Sequence, residues 1–151
     1  MESNIYISAE EKLKVNETDV ESVVNLLSES LNFSVESLEI NFVSNDTILE
    51  INKKHLDHHY FTDIITFNYS GENDNLDGEI FISYDEAVEN AKRFDCEVNI
   101  EVLRLIIHGI LHLVGFDDIK DEDKIVMKQK EDEFVEKFRN NFTNEFVCYE
   151  N

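Results

Sequence analysis

From Val98 to Val114 the chain reads VNIEVLRLIIHGILHLV, its most apolar segment, with apolar residues recurring at helical rather than alternating spacing. The apolar run from Val102 is interrupted by Arg104, His108 and His112 and is too short to cross a bilayer. A helix of this kind must be buried, so the rest of the chain has to wrap around it. With 151 residues and 42% hydrophobic content there is material for one such core, and a single domain over residues 1–151 is expected. No proline, only four glycines and no linker or repeat divide it.

The surrounding pattern supplies both element types. Asn4 to Ser8 alternates as a first strand. Thr18-Asp19-Val20-Glu21 reads as a capping box opening a helix whose inner face is Val20, Val23, Val24, Leu27 and Leu31. Leu38, Ile40 and Phe42 alternate with Glu39 and Asn41 as a half-buried strand, and Asn45 or Asp46 can cap a second helix carrying Ile48, Leu49 and Ile51. Two β-rich runs, Asp63 to Tyr69 and Glu79 to Ser83, flank GENDNLDG, residues 71–78, which reads as a loop joining paired strands. Helical spacing then governs Asp85 to Phe94, Val98 to Val114 and Asp121 to Phe138, the last with Met127, Phe134 and Phe138 on one face. From Asn140 onward a loosely ordered tail is expected. The fold class that follows is α+β: a small mixed sheet of about four strands with helices packed mainly on one face.

Thirty-four acidic residues against 13 basic ones give a net charge of −21, a field that repels polyanions. Any contact with nucleic acid must therefore rest on a local concentration of positive charge, such as a metal ion. The start, MESNIYISAEEKLKV, lacks the basic and small-residue features of a signal peptide, and Cys96 and Cys148 stand outside any CxxC pattern. Both features fit a cytoplasmic protein with reduced thiols and no membrane partner.

Residues 108–118, HGILHLVGFDD, carry the chemistry. His108 and His112 are i and i+4, so both rings leave one face of the helix a turn apart. Gly115 can take the left-handed conformation that ends a helix, turning the chain so that Asp117 and Asp118 come back toward the histidines. Two imidazoles and a carboxylate, Asp118 or alternatively Asp117, suit one Zn2+ ion with a fourth position left for water, at the end of a central helix. Two histidines on an apolar helix can also be core residues bonded to carbonyls; the turn glycine and returning carboxylate favour a metal. The spacing H-x3-H-x2-G-x2-D matches that of metzincin proteases with the last ligand changed, but Gly109 stands where their glutamate belongs. Arg104, one turn before His108 on the same face, can hold a phosphate or pair with nearby carboxylates. His55, His58 and His59 cluster in KKHLDHHYFTD, where they can approach a metal or phosphate or simply be solvated.

These residues resemble a known family. HGILHLVGFDD resembles the HGxLHLxGxDH signature of the YbeY family, Thr62 to Phe67 (TDIITF) is similar to its TDVLSF strand, Gly78 to Ser83 (GEIFIS) to its GDIxIS strand, and Asn52 to the asparagine of its LN helix. In order and spacing the likeness covers most of residues 36–130. It implies a metal-dependent endoribonuclease with zinc on three side chains, cutting single-stranded RNA in 16S rRNA 3′-end maturation and ribosome quality control, with ribosomal RNA and candidate ribosomal proteins as partners. Two positions depart from the family. Asp118 replaces its third histidine, which adds negative charge and should make the metal a weaker electrophile. Leu56 falls at its arginine, making Arg104 the candidate for the phosphate-binding role. Hydrolysis by a metal-bound water would follow, with Asp117 a candidate general base and an RNA 2′-hydroxyl the alternative nucleophile. The competing readings are a small metalloprotease-like hydrolase and a non-enzymatic ribosome-assembly factor with a structural metal.

Overall fold

The computed structural model describes residues 4–56 and 62–150, with Leu56 described by its backbone alone. Strands β1 (Ile5–Ala9), β3 (Ser34–Val43), β5 (Asn75–Ser83) and β4 (Ile64–Asn68) form a sheet in the order β1-β3-β5-β4. β1 and β5 both run parallel to β3, and β4 closes the edge antiparallel to β5, with Ile64 opposite Ile82. The sheet is thus mixed, and the two β-rich runs pair as expected. GENDNLDG is only half a loop, because β5 begins at Asn75, where its backbone pairs with Ser34 of β3. Polar side chains tolerate this position because β3 already supplies the ladder on that side.

Alternation sets the faces. Leu38, Ile40 and Phe42 of β3 and Ile80 and Ile82 of β5 join one large core with helices α1 (Glu17–Leu31) and α4 (Val98–Val114). Val20, Val23, Val24 and Leu27 are fully buried there, each stabilising the fold by roughly 1.5–3 kcal/mol relative to exposure. On the opposite face α2 (Asn45–Leu56) contributes Ile48 to a small cluster with Val43 and Ile65. Helices α3 (Tyr84–Arg93) and α5 (Asp121–Phe138) pack against α4, and among the described residues no helix is long and apolar enough to cross a membrane.

Three local expectations are corrected. The cap of α1 is Asn16, whose side chain accepts from the Asp19 N–H, so the helix starts before Thr18. At α2 the capping oxygen is that of Ser44, which accepts from the Thr47 N–H, rather than Asn45 or Asp46. The tail is not loose: after a short 3-10 turn at Arg139–Asn141, strand β6 (Val147–Tyr149) pairs antiparallel with β2 (Leu13–Val15), and Phe142, Phe146 and Val147 are buried. Aromatic burial outweighs the polar residues between them, and the Asn16 N–H donates to the Phe146 carbonyl beside the strand pair.

Candidate metal centre

The C-terminal half of α4 positions the site. Gly109 faces the sheet: a Cβ there would come within 2.9 Å of Ile80 Cδ1 and 3.0 Å of Ile64 Cδ1. The position held by a catalytic glutamate in HExxH proteases is therefore spent on close helix–sheet packing, away from the histidine face. The helix ends as the sequence expects. Gly115 sits at φ +115°, its N–H donates to the His112 carbonyl, and the Phe116 N–H donates to the Leu111 carbonyl, the Schellman pattern. Beyond it, Asp117 Oδ1 accepts from the N–H groups of Asp118 and Ile119 and pins the returning turn.

That turn delivers Asp118 to the histidines. His108 Nε2 and His112 Nε2 are 3.1 Å apart, and Asp118 Oδ2 lies 3.3 Å from His112 Nε2 and 3.5 Å from His108 Nε2. One ligand atom from each residue falls within 4.8 Å of the others, a group able to hold a metal ion. The side chains are 19%, 25% and 39% exposed in the order His108, His112, Asp118, so the triangle is anchored in the protein and open to solvent on the aspartate side. Asp117 points its oxygen into the turn rather than into this triangle.

Two further residues complete the surroundings, one of them unexpected. Glu131 of α5 places Oε2 2.8 Å from His108 Nδ1, on the ring edge away from His112 and Asp118. Burial alone would lower the His108 pKa, but the Glu131 hydrogen bond and the charges of Glu131, Asp118 and Asp63 outweigh it, and the pKa is raised. Arg104 is held by carboxylates: its guanidinium is 2.7 Å from Asp132 Oδ1, 3.7 Å from Glu131 Oε1 and 4.0 Å from Glu101 Oε1. A phosphate at this cation would compete with these carboxylates for the guanidinium. Glu131 carried a legible signal, since Met127, Glu131, Phe134 and Phe138 follow i, i+4, i+7, i+11 along the inner stripe of α5. A carboxylate in an apolar stripe needs a buried partner.

The histidines of KKHLDHHYFTD do not join this group among the described residues. His55 lies on α2 with its ring edge-on to Phe67, and His58 and His59 fall outside the described residues. Leu56 ends α2, and Asn52 is buried.

Residues 5–139 match the family model described as Endoribonuclease YbeY. The chain belongs to the YbeY endoribonuclease family. It is 40% identical to Endoribonuclease YbeY of Chlorobium limicola over 117 residues, covering 78% of this chain and 80% of that one. The YbeY of Chlorobaculum tepidum is 38% identical over 128 residues, 85% and 93% of the two chains. In three dimensions the chain is similar to the solution structure of TM1509 from Thermotoga maritima, at TM-score 0.64 and 30% identity over 91% and 93% of the two chains. The residues matched by the family model take in the four-stranded sheet, α4 and α5.

Proposed function

We propose that this chain is a zinc-dependent endoribonuclease that hydrolyses single-stranded RNA in ribosomal RNA maturation in the cytoplasm, with His108, His112 and Asp118 as metal ligands. The size of the triangle carries the reading. Two ligand bonds of about 2.05 Å meeting at the tetrahedral angle separate their donor atoms by about 3.3 Å, and the three edges here are 3.1, 3.3 and 3.5 Å. Hydrogen bonding accounts for them less well, because a carboxylate paired with a charged imidazole closes to about 2.7–2.9 Å. Asp118 stays outside that distance from both rings.

A zinc ion held by His108, His112 and Asp118 would supply a Lewis acid and lower the pKa of a bound water. The chain's own contribution is placement. Asp117 pins the turn that presents Asp118, Gly115 permits that turn, and the exposed side of Asp118 leaves room for an RNA backbone. In a protein of net charge −21 this cation is where a polyanion can be held. Arg104 acts on the reaction through the carboxylates that surround it. The protease reading loses its footing at Gly109, which brings no carboxylate and faces the sheet rather than the histidines.

The test is metal content of protein purified without chelator, with cleavage of a single-stranded RNA oligonucleotide on the same samples, for the wild type and His112→Ala. About one zinc per wild-type chain is expected, lost with the cleavage in the variant. Zinc without RNA cleavage would move the site to another hydrolase or to ribosome assembly; no metal in the wild type would end the reading.

A further inference from the structure

The triangle at the end of α4 is backed by a neighbouring helix. Glu131 of α5 is 8% exposed and lies 2.8 Å from His108 Nδ1, while Nε2 of the same ring faces His112 and Asp118. Its other oxygen is 3.7 Å from Arg104, whose guanidinium is fixed in turn by Asp132. Glu131 is thus held at both oxygens, between a ring nitrogen and a cation.

A neutral imidazole carries one N–H, and the partner at one nitrogen decides which nitrogen keeps it. A carboxylate can only accept. With Glu131 at Nδ1 the proton stays on Nδ1, and the lone pair of Nε2 points into the triangle, where a metal would need it. We propose that Glu131 is a positioning residue for the metal centre, fixing His108 in the Nδ1–H tautomer, and that Arg104 serves by holding the Glu131 carboxylate rather than by gripping substrate. This rests on the three-ligand metal reading, and it assigns chemistry to α5, which supplies no ligand.

The geometry makes an ordering of variants that a merely structural role would not give. In Glu131→Gln the amide must choose which end faces Arg104. A guanidinium has only donors, so the carbonyl turns to Arg104 and the NH2 group to His108 Nδ1. That amide donates where the carboxylate accepted, drives the ring proton to Nε2, and blocks the metal position, as a misplaced amide does to a catalytic imidazole. Glu131→Ala removes the preference without imposing the wrong one. Adding Arg104→Met to Glu131→Gln frees the amide to flip its carbonyl back to Nδ1.

The experiment measures Zn2+ affinity of the full chain by competition with a chromophoric chelator, and reads the His108 tautomer in metal-free protein by long-range 1H–15N NMR. Glu131→Ala should weaken Zn2+ binding about 10-fold and Glu131→Gln toward 100-fold, the range for such imidazole partners. The Arg104→Met/Glu131→Gln double variant should recover part of the loss, and the His108 nitrogen shifts should report Nδ1–H in the wild type and Nε2–H in Glu131→Gln. Metal-free thermal unfolding checks that each variant folds. Glu131→Gln binding Zn2+ as tightly as the wild type, or losing affinity with the Nδ1–H tautomer intact, overturns the proposal. A wild type that binds no Zn2+ overturns the metal reading beneath it, an outcome separate from either.

Discussion

Helix α4 hides ten of its 17 residues and α5 only five of its 18, yet the two meet at the same site. α4 is a buried helix whose half-buried His108 and His112 lie where its apolar body reaches the surface. α5 is the reverse, an exposed acidic helix whose inner stripe includes one buried carboxylate. The difference shows two ways to place a charged or ligating group. A buried helix fixes its side chains through packing along its whole length, so the spacing of His108 and His112 is set by the helix itself. A surface helix fixes one group by giving it partners on both sides, as Glu131 has in His108 and Arg104.

The contrast can be tested through stability first. Ile106 lies fully buried in the middle of α4, and Ile125 is 59% exposed on α5. Ile106→Ala should cost about 2–5 kcal/mol, the transfer loss plus the cavity left behind, while Ile125→Ala should stay within about 0.5 kcal/mol. Urea unfolding of both variants checks the pair. Equal losses would mean that α5 is covered by something its surface does not reveal, and the division between the two helices would fail.

How much of this was legible follows from the same contrast. The α4 constellation is local: an i, i+4 pair, a glycine three residues on and a carboxylate at the return are all written within residues 108–118. The core-facing stripe of α5 was legible too, through Met127, Phe134 and Phe138. What could not be read was which neighbour waited beneath Glu131, because the crossing of α5 over α4 is a tertiary fact. For the same reason the spacing of Arg104 and His108 along α4 says nothing of Asp132, the closest partner of Arg104, which comes from 28 residues away. The order of the tail is not legible in the sequence because β6 is only three residues long and its partner β2 lies more than 130 residues upstream, beyond any periodicity. Asn16 was missed as a cap because the capping-box pattern at Thr18 to Glu21 competes with it two residues later.

A second, smaller effect is a pH trend that both helices share. The His108 pKa is raised above 6.5, with burial opposing and the Glu131 hydrogen bond from α5 leading the groups that raise it. In metal-free protein this contributes stability that is fully present below the unfolded value of 6.5 and lost as pH rises through the folded value. On the proposed metal reading, an ion at this site must displace that proton, so the apparent Zn2+ affinity should climb by about tenfold per pH unit for one proton released, up to the folded pKa. Thermal unfolding between about pH 6 and about pH 8 should show the zinc-loaded and metal-free curves diverging as pH rises. If they run parallel, His108 loses no proton on loading, and its place among the ligands is wrong.

The smallest effect separates position from charge. Glu133 lies two residues beyond Glu131 on α5, but its side chain is 60% exposed and pairs with Lys130 at 3.5 Å. Glu133→Gln removes the same formal charge as Glu131→Gln from the same helix. An exposed pair of this kind contributes roughly 0–1 kcal/mol and is screened by salt, so stability should shift by less than about 0.5 kcal/mol. Zn2+ affinity should not move. In a chain of net charge −21, the alternative is that the whole acidic field, rather than one contact, attracts the cation. In that case Glu133→Gln would weaken Zn2+ binding as much as Glu131→Gln does, and added salt would erase both losses. A loss confined to Glu131 and insensitive to salt would locate the effect in the 2.8 Å contact with His108, where the inner stripe of α5 meets the end of α4.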